Sequence, residues 1–324
     1  MLLIGEEIES PWNGQALADI APVFGGQYCL QNDEVADMHD HYGLATLIAA
    51  ENLPDAASVY RYRPPTLAPC ALVVGNEAKG LRRRTRKQAD AVVEVPLLSA
   101  TVNCLNVAAA AAAMLYYLGQ PAPLRHETQT LASIQKRRPS VLLAGGCDPL
   151  ELGSTLRSAC AFGWERVFLA DRGGVWYECD RIVKSQGRGA ARRSRNPIRV
   201  IPWQPAALAT YRRIILPATA GGGRGLTEVH LSGPETLVVL TDEQSGPWSP
   251  PADFTGEIIE AALPAMPRAS YHYRQAATIV LAEMARQLGT PGRGRTLTPR
   301  RRYTRTLAAE DTGIVLSLEE LAVF

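Results

Sequence analysis

The sequence predicts an α/β chain in which one strand-and-helix unit occurs twice, and three observations carry that expectation. Two short apolar runs, residues 71–74 (ALVV) and 92–98 (VVEVPLL), each break into a loop, as buried strands do where the backbone turns out of a sheet. An alanine-rich helix follows Asn103, Cys104, Leu105 and Asn106. Residues 13–26, NGQALADIAPVFGG, align without gaps on residues 151–164, ELGSTLRSACAFGW, sharing Ala21 with Ala159, Phe24 with Phe162 and Gly25 with Gly163.

Taken in order, the amino terminus MLLIGEEIES has neither the positive region nor the length of a signal peptide. Residues 13–26 read as a first helix. The run 71–74 reads as a strand opening into the glycine loop Gly75, Asn76, Glu77, Ala78, Lys79, Gly80. After the run 92–98, the helix from Val107 to Leu118 is too short to cross a bilayer and ends in tyrosines, so it is read as buried. Two strand-end loops followed by a helix outline a small-molecule cleft, because in α/β sheets ligands sit beyond the carboxyl ends of the strands. Neither GxGxxG nor GxxxxGK[ST] occurs, which argues against a dinucleotide or P-loop nucleotide site.

Residues 120–139, QPAPLRHETQTLASIQKRRP, have the proline and polar content of a linker with a helical middle. The helix of 151–164 then restarts the pattern. Residues 217–230, PATAGGGRGLTEVH, read as a surface loop more readily than as a phosphate cradle, since no helix signature follows Gly221 to Gly225. TLVVLTDEQSG at 236–246 aligns on LVVGNEAKG, placing Thr241 on Gly75, Asp242 on Asn76 and Glu243 on Glu77. Residues 269–288 align on the alanine-rich helix and its approach, placing Arg274 on Asn106. The tail from Thr290 is basic through Arg305, then acidic and apolar. The expected organisation is a first unit over 1–120, a linker over 121–137, a second unit over 138–289 and a tail over 290–324.

At 324 residues and 46% hydrophobic, the chain can supply a core to each unit. No run of 18 apolar residues occurs, and a cytoplasmic protein without membrane partners is expected. The six cysteines are scattered without a CxxC pair and the five histidines are scattered too, so no metal is expected, and most thiols are read as small buried hydrophobes. A net charge of +2 implies no nucleic acid by itself. The distribution says more: four of 34 basic residues are lysines, and arginine is the better bidentate donor to phosphate. Basic residues cluster at 82–87, 136–138, 188–195 and 293–305. A solvated face is the commoner explanation for any one cluster; four of them flanking candidate loops are candidates for phosphate contacts.

LVVGNEAKGL, VEVPLL and CLNVAAAAA, in that order and at this spacing, resemble the second and third motifs of the SpoU (TrmH-like) branch of the SPOUT RNA methyltransferases. DPLELGSTLRSACAFGWERVFLADR in the second half is similar to the first motif of that family, and KSQGRGAARRSRNPIRVI to its serine-glycine-alanine segment. The resemblance implies a mostly parallel sheet flanked by helices in each unit, a carboxyl-terminal trefoil knot intact at least in the first unit, S-adenosylmethionine as cofactor, and 2′-O-ribose methylation of tRNA or rRNA. Topology rules alone would not produce the knot, since true knots are rare. The implied cofactor residues are Val74, Gly75, Asn76, Glu77, Gly80, Val95, Pro96, Leu97, Cys104, Leu105 and Asn106. Arg82, Arg83, Arg84, Arg86, Lys87, Arg188, Arg192, Arg193 and Arg195 are the candidates for contacting RNA.

The two halves divide the motif residues between them. The first keeps the cofactor loops and Asn13 of motif one, but carries Asp19 where the family has its arginine. The second carries Arg157 at that arginine, while Thr241, Gln244, Ser245, Tyr273 and Arg274 depart from its cofactor loops and Glu151 replaces the motif-one asparagine. Bulky side chains obstruct loops that must approach a ligand by backbone. Family members resemble one another in sharing active sites across a homodimer, so the chain is read as a fused pseudo-dimer, monomeric, with one composite site: Arg157 from the second unit, Glu77 and Asn106 from the first. A free guanidinium keeps its proton to about pH 12, so Arg157 is read as a phosphate clamp and oxyanion stabiliser. The alternatives are an RNA-binding pseudoenzyme and a methyltransferase whose acceptor is a base or a protein side chain.

Overall fold

In the computed structural model of the chain, residues 1–65, 69–99, 101–192, 196–218, 223–241, 246, 248–266 and 269–291 are described. The first sheet takes its strands from the amino-terminal part: β1 (Leu2–Glu6), β2 (Gln27–Gln31), β3 (Thr46–Ala50), β4 (Ala57–Ser58), β5 (Cys70–Val74) and β6 (Ala91–Glu94). Helices α1 (Pro11–Val23), α2 (Met38–Tyr42) and α3 (Arg83–Gln88) lie between them, and α4 (Val107–Leu118) follows. The order across the sheet is β2-β1-β5-β3-β6-β4, all pairings parallel. Central strands β3 and β5 are buried along nearly their whole length, as expected where both faces of a parallel sheet are covered.

The linker region is packed. β7 (Thr128–Gln129) precedes α5 (Leu131–Arg137), which begins at an N-capping Thr130 and buries Ile134 completely. A second parallel sheet follows from β8 (Ser140–Leu143), β9 (Arg166–Leu169), β10 (Arg199–Pro202), β11 (Arg213–Ala218), β12 (Arg224–Gly225), β13 (Thr236–Leu240) and β14 (Glu257–Ala262). Helices α6 (Pro149–Ala161), α7 (Arg181–Ala191) and α8 (Tyr273–Leu288) accompany it, and β15 (Thr290–Pro291) returns to pair with β7. Its order, β10-β9-β8-β13-β11-β14-β12, repeats that of the first sheet strand for strand, with β10 added at one edge.

The helices α1 and α6 have the same local design. Each is capped by a side-chain oxygen, Ser10 or Asp148, has proline at its first position, Pro11 or Pro149, and runs for 13 residues to a phenylalanine C-cap followed by a positive-φ glycine. Helix α8 packs against α4 and α6, and α1 packs against α4, so one continuous apolar cluster reaches from Leu3 and Ile48 to Val238 and Ile279. Polar groups inside it are paired: Tyr117 Oη donates to Glu283 at 3.0 Å, Tyr60 Oη donates to the Ala282 carbonyl at 3.2 Å, and Arg286 donates to Glu283 at 2.5 and 2.8 Å.

Two further sequence expectations change here. The apolar run 92–98 is a strand only to Glu94. Pro96 has no N–H for a ladder, and beyond it the Leu98 and Ser99 amides donate to the Ala161 carbonyl at the end of α6, at 2.9 and 3.0 Å. Of the six thiols, Cys160 is buried; Cys147 is exposed and Cys29, Cys70, Cys104 and Cys179 are half-buried, because they sit at an edge strand, a strand start and in loops. Among the described residues no helix is long and apolar enough to cross a membrane. The tail from 292, Gly221, and residues 242–245 with Asp242, Glu243, Gln244 and Ser245 lie outside the described residues.

Candidate active site

The site lies where β5 and β6 end, at the start of α4. Leaving Val74, the chain doubles back so tightly that a Cβ on Gly75 would come within 2.3 Å of the Gly80 carbonyl carbon and 2.4 Å of the Leu81 nitrogen. Only glycine fits such an approach. Inside the turn Asn76, 3% exposed, accepts the amides of Ala78 and Lys79 at 2.9 Å and donates to the Glu7 carbonyl at 2.7 Å. Asn76 thus shapes the loop, and Glu77 is left facing α1.

Glu77 draws the motifs together. Its carboxylate accepts the backbone amides of Glu9 and Ser10, at 3.1 and 3.2 Å, and the Asn13 side-chain amide at 2.8 Å. Asn13 Oδ1 in turn accepts from Asn106 Nδ2 at 2.9 Å. Asn106 Oδ1 caps α4 by accepting the amides of Ala108 and Ala109, at 3.0 and 3.2 Å, which leaves its nitrogen free to be the donor. Glu77 and Asn106, named from sequence, are brought together by Asn13. The sequence signal for Asn13 was its place at the motif-one asparagine, but the bridging role needed the three loops in space.

Arg157 projects from α6. At Gly153, an added Cβ would lie 2.3 Å from the Gly187 carbonyl oxygen, so α6 and α7 touch by backbone there. One turn on, that closeness lets the Arg157 guanidinium donate through Nε at 2.7 Å, and through Nη2, to the Ala190 carbonyl. Burial, and then the neighbouring Arg192 cation, push Arg157 down to about 10, against the opposing influence of Cys104. Cys104 also receives Arg192 Nη1 at 3.1 Å. The arginine-bearing helix of the second half therefore stands against the 95–106 segment of the first, where Val102, Leu97 and Leu105 pack on Cys160, Ala161 and Ile198.

The corresponding place with the halves exchanged is filled. Asp19, aligned with Arg157, meets His272 Nε2 at 2.9 Å; His272 aligns with Cys104. Glu151, aligned with Asn13, forms a close ion pair with Arg274, aligned with Asn106, and also accepts the Arg274 backbone amide at 2.8 Å and lies 3.3 Å from His272 Nδ1. The Tyr273 ring packs over Gly146, and its hydroxyl donates to the Leu240 carbonyl at the end of β13, at 3.3 Å.

The other predicted residues are distributed as follows. Val74, Asn76 and Val95 are buried, while Gly75, Glu77, Gly80, Pro96, Leu97, Cys104, Leu105 and Asn106 are half-buried. Among the basic candidates, Arg82 bonds Glu7 at 2.6 Å and the Asn32 carbonyl at 2.5 Å, and Arg84 bonds Glu34 at 3.1 Å and the Ala36 carbonyl at 2.8 Å. The Glu7 hydrogen bond holds Arg82 above the usual arginine range. These two brace the loop after β5. Arg83 and Lys87 are exposed and Arg86 half-buried, Arg188 and Arg192 are exposed, and Arg193 and Arg195 lie outside the described residues. In the 136–138 cluster Arg137 donates to the Leu288 carbonyl at 2.7 Å, and Arg138 lies 5.2 Å from the centre of the Trp164 ring, so both are structural.

Fold and site define an α/β protein in which a carboxylate, two side-chain amides and a tight backbone turn meet beyond the carboxyl ends of parallel strands. Residues 28–116, which include the turn at 75–80 and the start of α4, match the model of the SpoU rRNA Methylase family. Comparison with curated protein sequences gave no match. Among solved structures, the SpoU methyltransferase AviRb from Streptomyces viridochromogenes is 18% identical with a TM-score of 0.37, over 50% of this chain and 65% of that one. AviRb in complex with the cofactor AdoMet is 19% identical, TM-score 0.34, over 51% and 62%. A TrmH/SpoU tRNA modifying enzyme from A. aeolicus is 16% identical, TM-score 0.35, over 48% and 79%. Likenesses this distant bear on neither substrate nor chemistry.

Proposed function

We propose that the chain is an S-adenosylmethionine-dependent RNA methyltransferase that modifies a ribose 2′-hydroxyl of tRNA or rRNA, through one composite site formed by two SPOUT-like units in one polypeptide. The observation that carries the proposal is the packing of α6, the Arg157-bearing helix of the second half, against Leu97, Val102 and Leu105 of the first, with Arg192 donating to Cys104 beside them at 3.1 Å. The repeated strand order of the two sheets supports the tandem reading, and the family match over residues 28–116 supports the methyltransferase.

The first-half residues fit the cofactor. Leu97 and Leu105, half-buried against the apolar cluster that holds Val74 and Val95, offer apolar surface to the face of a heterocycle, and the turn from Gly75 to Gly80 brings backbone close to backbone beside them. Pro96, Cys104 and Asn106 complete the lining. When bound, S-adenosylmethionine supplies an electrophilic methyl group. Glu77, Asn13 and Asn106 hold the three loops in register, which keeps the attacking hydroxyl in line. Arg157, anchored by Ala190, presents a cation where negative charge develops on the ribose oxygen. Burial pushes its pKa down to about 10, which still leaves Arg157 protonated at pH 7, so the clamp is the dominant form. The same reading carries a carboxyl-terminal trefoil knot in at least the first unit.

The test is transfer of labelled methyl from S-adenosylmethionine to total RNA, followed by nucleoside analysis. A 2′-O-methylnucleoside is expected; label in a base or in protein would reassign the acceptor, and no transfer would leave a pseudoenzyme. Arg157→Ala should lower transfer by about two to three orders of magnitude, as loss of a group that stabilises an oxyanion does, with cofactor affinity by calorimetry near normal. If Asp19→Ala is instead the damaging change, the halves have been assigned backwards.

A further inference from the structure

A cavity of about 420 Å³ opens beside α6 and α7, next to β10 and apart from the cofactor loops. That is within the range of roughly 300–1,000 Å³ typical of small-molecule pockets. Among the described residues its lining combines two aromatic residues, Trp176 and Tyr177, with three cations, Lys184, Arg188 and Arg199, and includes no carboxylate. Trp176 is 8% exposed and Tyr177 38%. Both are held in place: Asp171 Oδ2 accepts their backbone amides at 3.0 and 2.8 Å, and the Trp176 ring rests on Gly187 of α7. Asn196, which also borders the cavity, is satisfied within the fold, donating to Ala191 and Leu156 and accepting from Ile198. The pocket is therefore built before anything binds.

Helix α7 links this pocket to the site. Lys184 and Arg188 are four residues apart and share a face, and Arg192, the C-cap, follows after four more. Each step advances about 6 Å along the axis. Two of these cations line the pocket, and the third reaches Cys104 at 3.1 Å. Aromatic surface recognises the face of a base, and basic side chains recognise phosphate. A lining with both and without carboxylate fits a nucleotide far better than an acidic peptide, which would leave the rings without a matching group. Resting on the reading that the chain methylates RNA, we infer that this pocket takes the base of a nucleotide flanking the target, with Lys184, Arg188 and Arg192 holding the phosphates between the two.

Fluorescence anisotropy with a labelled oligoadenylate of about ten nucleotides, beside the same backbone lacking bases, tests this on the full chain. The wild type should prefer oligoadenylate. Tyr177→Ala, at an exposed position, should weaken oligoadenylate binding about tenfold and leave the baseless chain unaffected, with an unchanged melting temperature. Arg188→Ala should weaken both probes and lower the salt slope by about one. Equal binding of oligoadenylate by Tyr177→Ala and wild type, or no wild-type preference for bases, overturns the pocket. The parent reading fails separately: binding through Tyr177 without any methyl transfer would leave the pocket standing and remove the enzyme.

Discussion

Arg157 and Asp19 stand at the same position of two similarly capped helices, and their surroundings differ accordingly. Arg157 is held by the Ala190 carbonyl, whereas Asp19 faces His272, which links it to Glu151. The charge reversal at one pair of positions is thus matched by changes at the others, Glu151 for an asparagine and Arg274 for an asparagine, and the result is a closed ion-pair cluster in place of a cleft. At the same scale, His126 offers a pH-dependent test. Burial, with help from the Arg61 and Arg286 cations and against a hydrogen bond at the Arg286 backbone, pushes it down to about 4 from an ordinary 6.5. The folded chain keeps it neutral while the unfolded chain takes up a proton as pH falls below 6.5. Its contribution is therefore complete above pH 6.5 and declines as pH falls toward 4. Urea unfolding should show a loss of roughly 1–2 kcal/mol across that window, after allowing for solvent screening of a half-buried group, and His126→Gln should flatten the profile.

At the scale of elements, α4 and α8 meet through a buried charge. Glu283 is fully buried, accepts from Tyr117 of α4, and is neutralised by Arg286 one turn along its own helix. Removing one partner strands the other in a low-dielectric interior, so Glu283→Ala should cost about 3–5 kcal/mol in chemical denaturation, and Glu283→Gln distinctly less because it can still accept from Tyr117. The helices α1 and α6 were legible from the repeat of 13–26 on 151–164; their starts at Ser10-Pro11 and Asp148-Pro149, a few residues earlier, come from caps that act within one turn. β6 was not, since an apolar run does not say where a ladder stops. Its end is set by Pro96 and by a hydrogen-bond partner on α6 that is distant in sequence. The linker, too, was underestimated: its polar composition concealed Ile134, which packs fully into the core.

For the whole molecule, the repeated sheets and the filled second cleft lead to a stoichiometry. Calorimetry should find one S-adenosylmethionine per chain; two equivalent sites, or none, would sink the composite-site proposal. Sedimentation should find a monomer, because α1, α4, α6 and α8 already bury against one another the faces that separate units would have to pair.

What the sequence by itself determined is what local rules govern: the glycine turn after β5, the alternation of short strands with helices, and the internal repeat. What only the tertiary structure decided is which of these meet. Asn13 became the bridge between Glu77 and Asn106, Arg82 and Arg84 were taken up in bracing a loop, and the helix of Arg157 came to lie against Leu97, Val102 and Leu105. The physical reason is that capping and turn energies act over a few residues, whereas the side-chain pairs that build this cleft are separated by tens of residues and are chosen by how two parallel sheets pack through their helices.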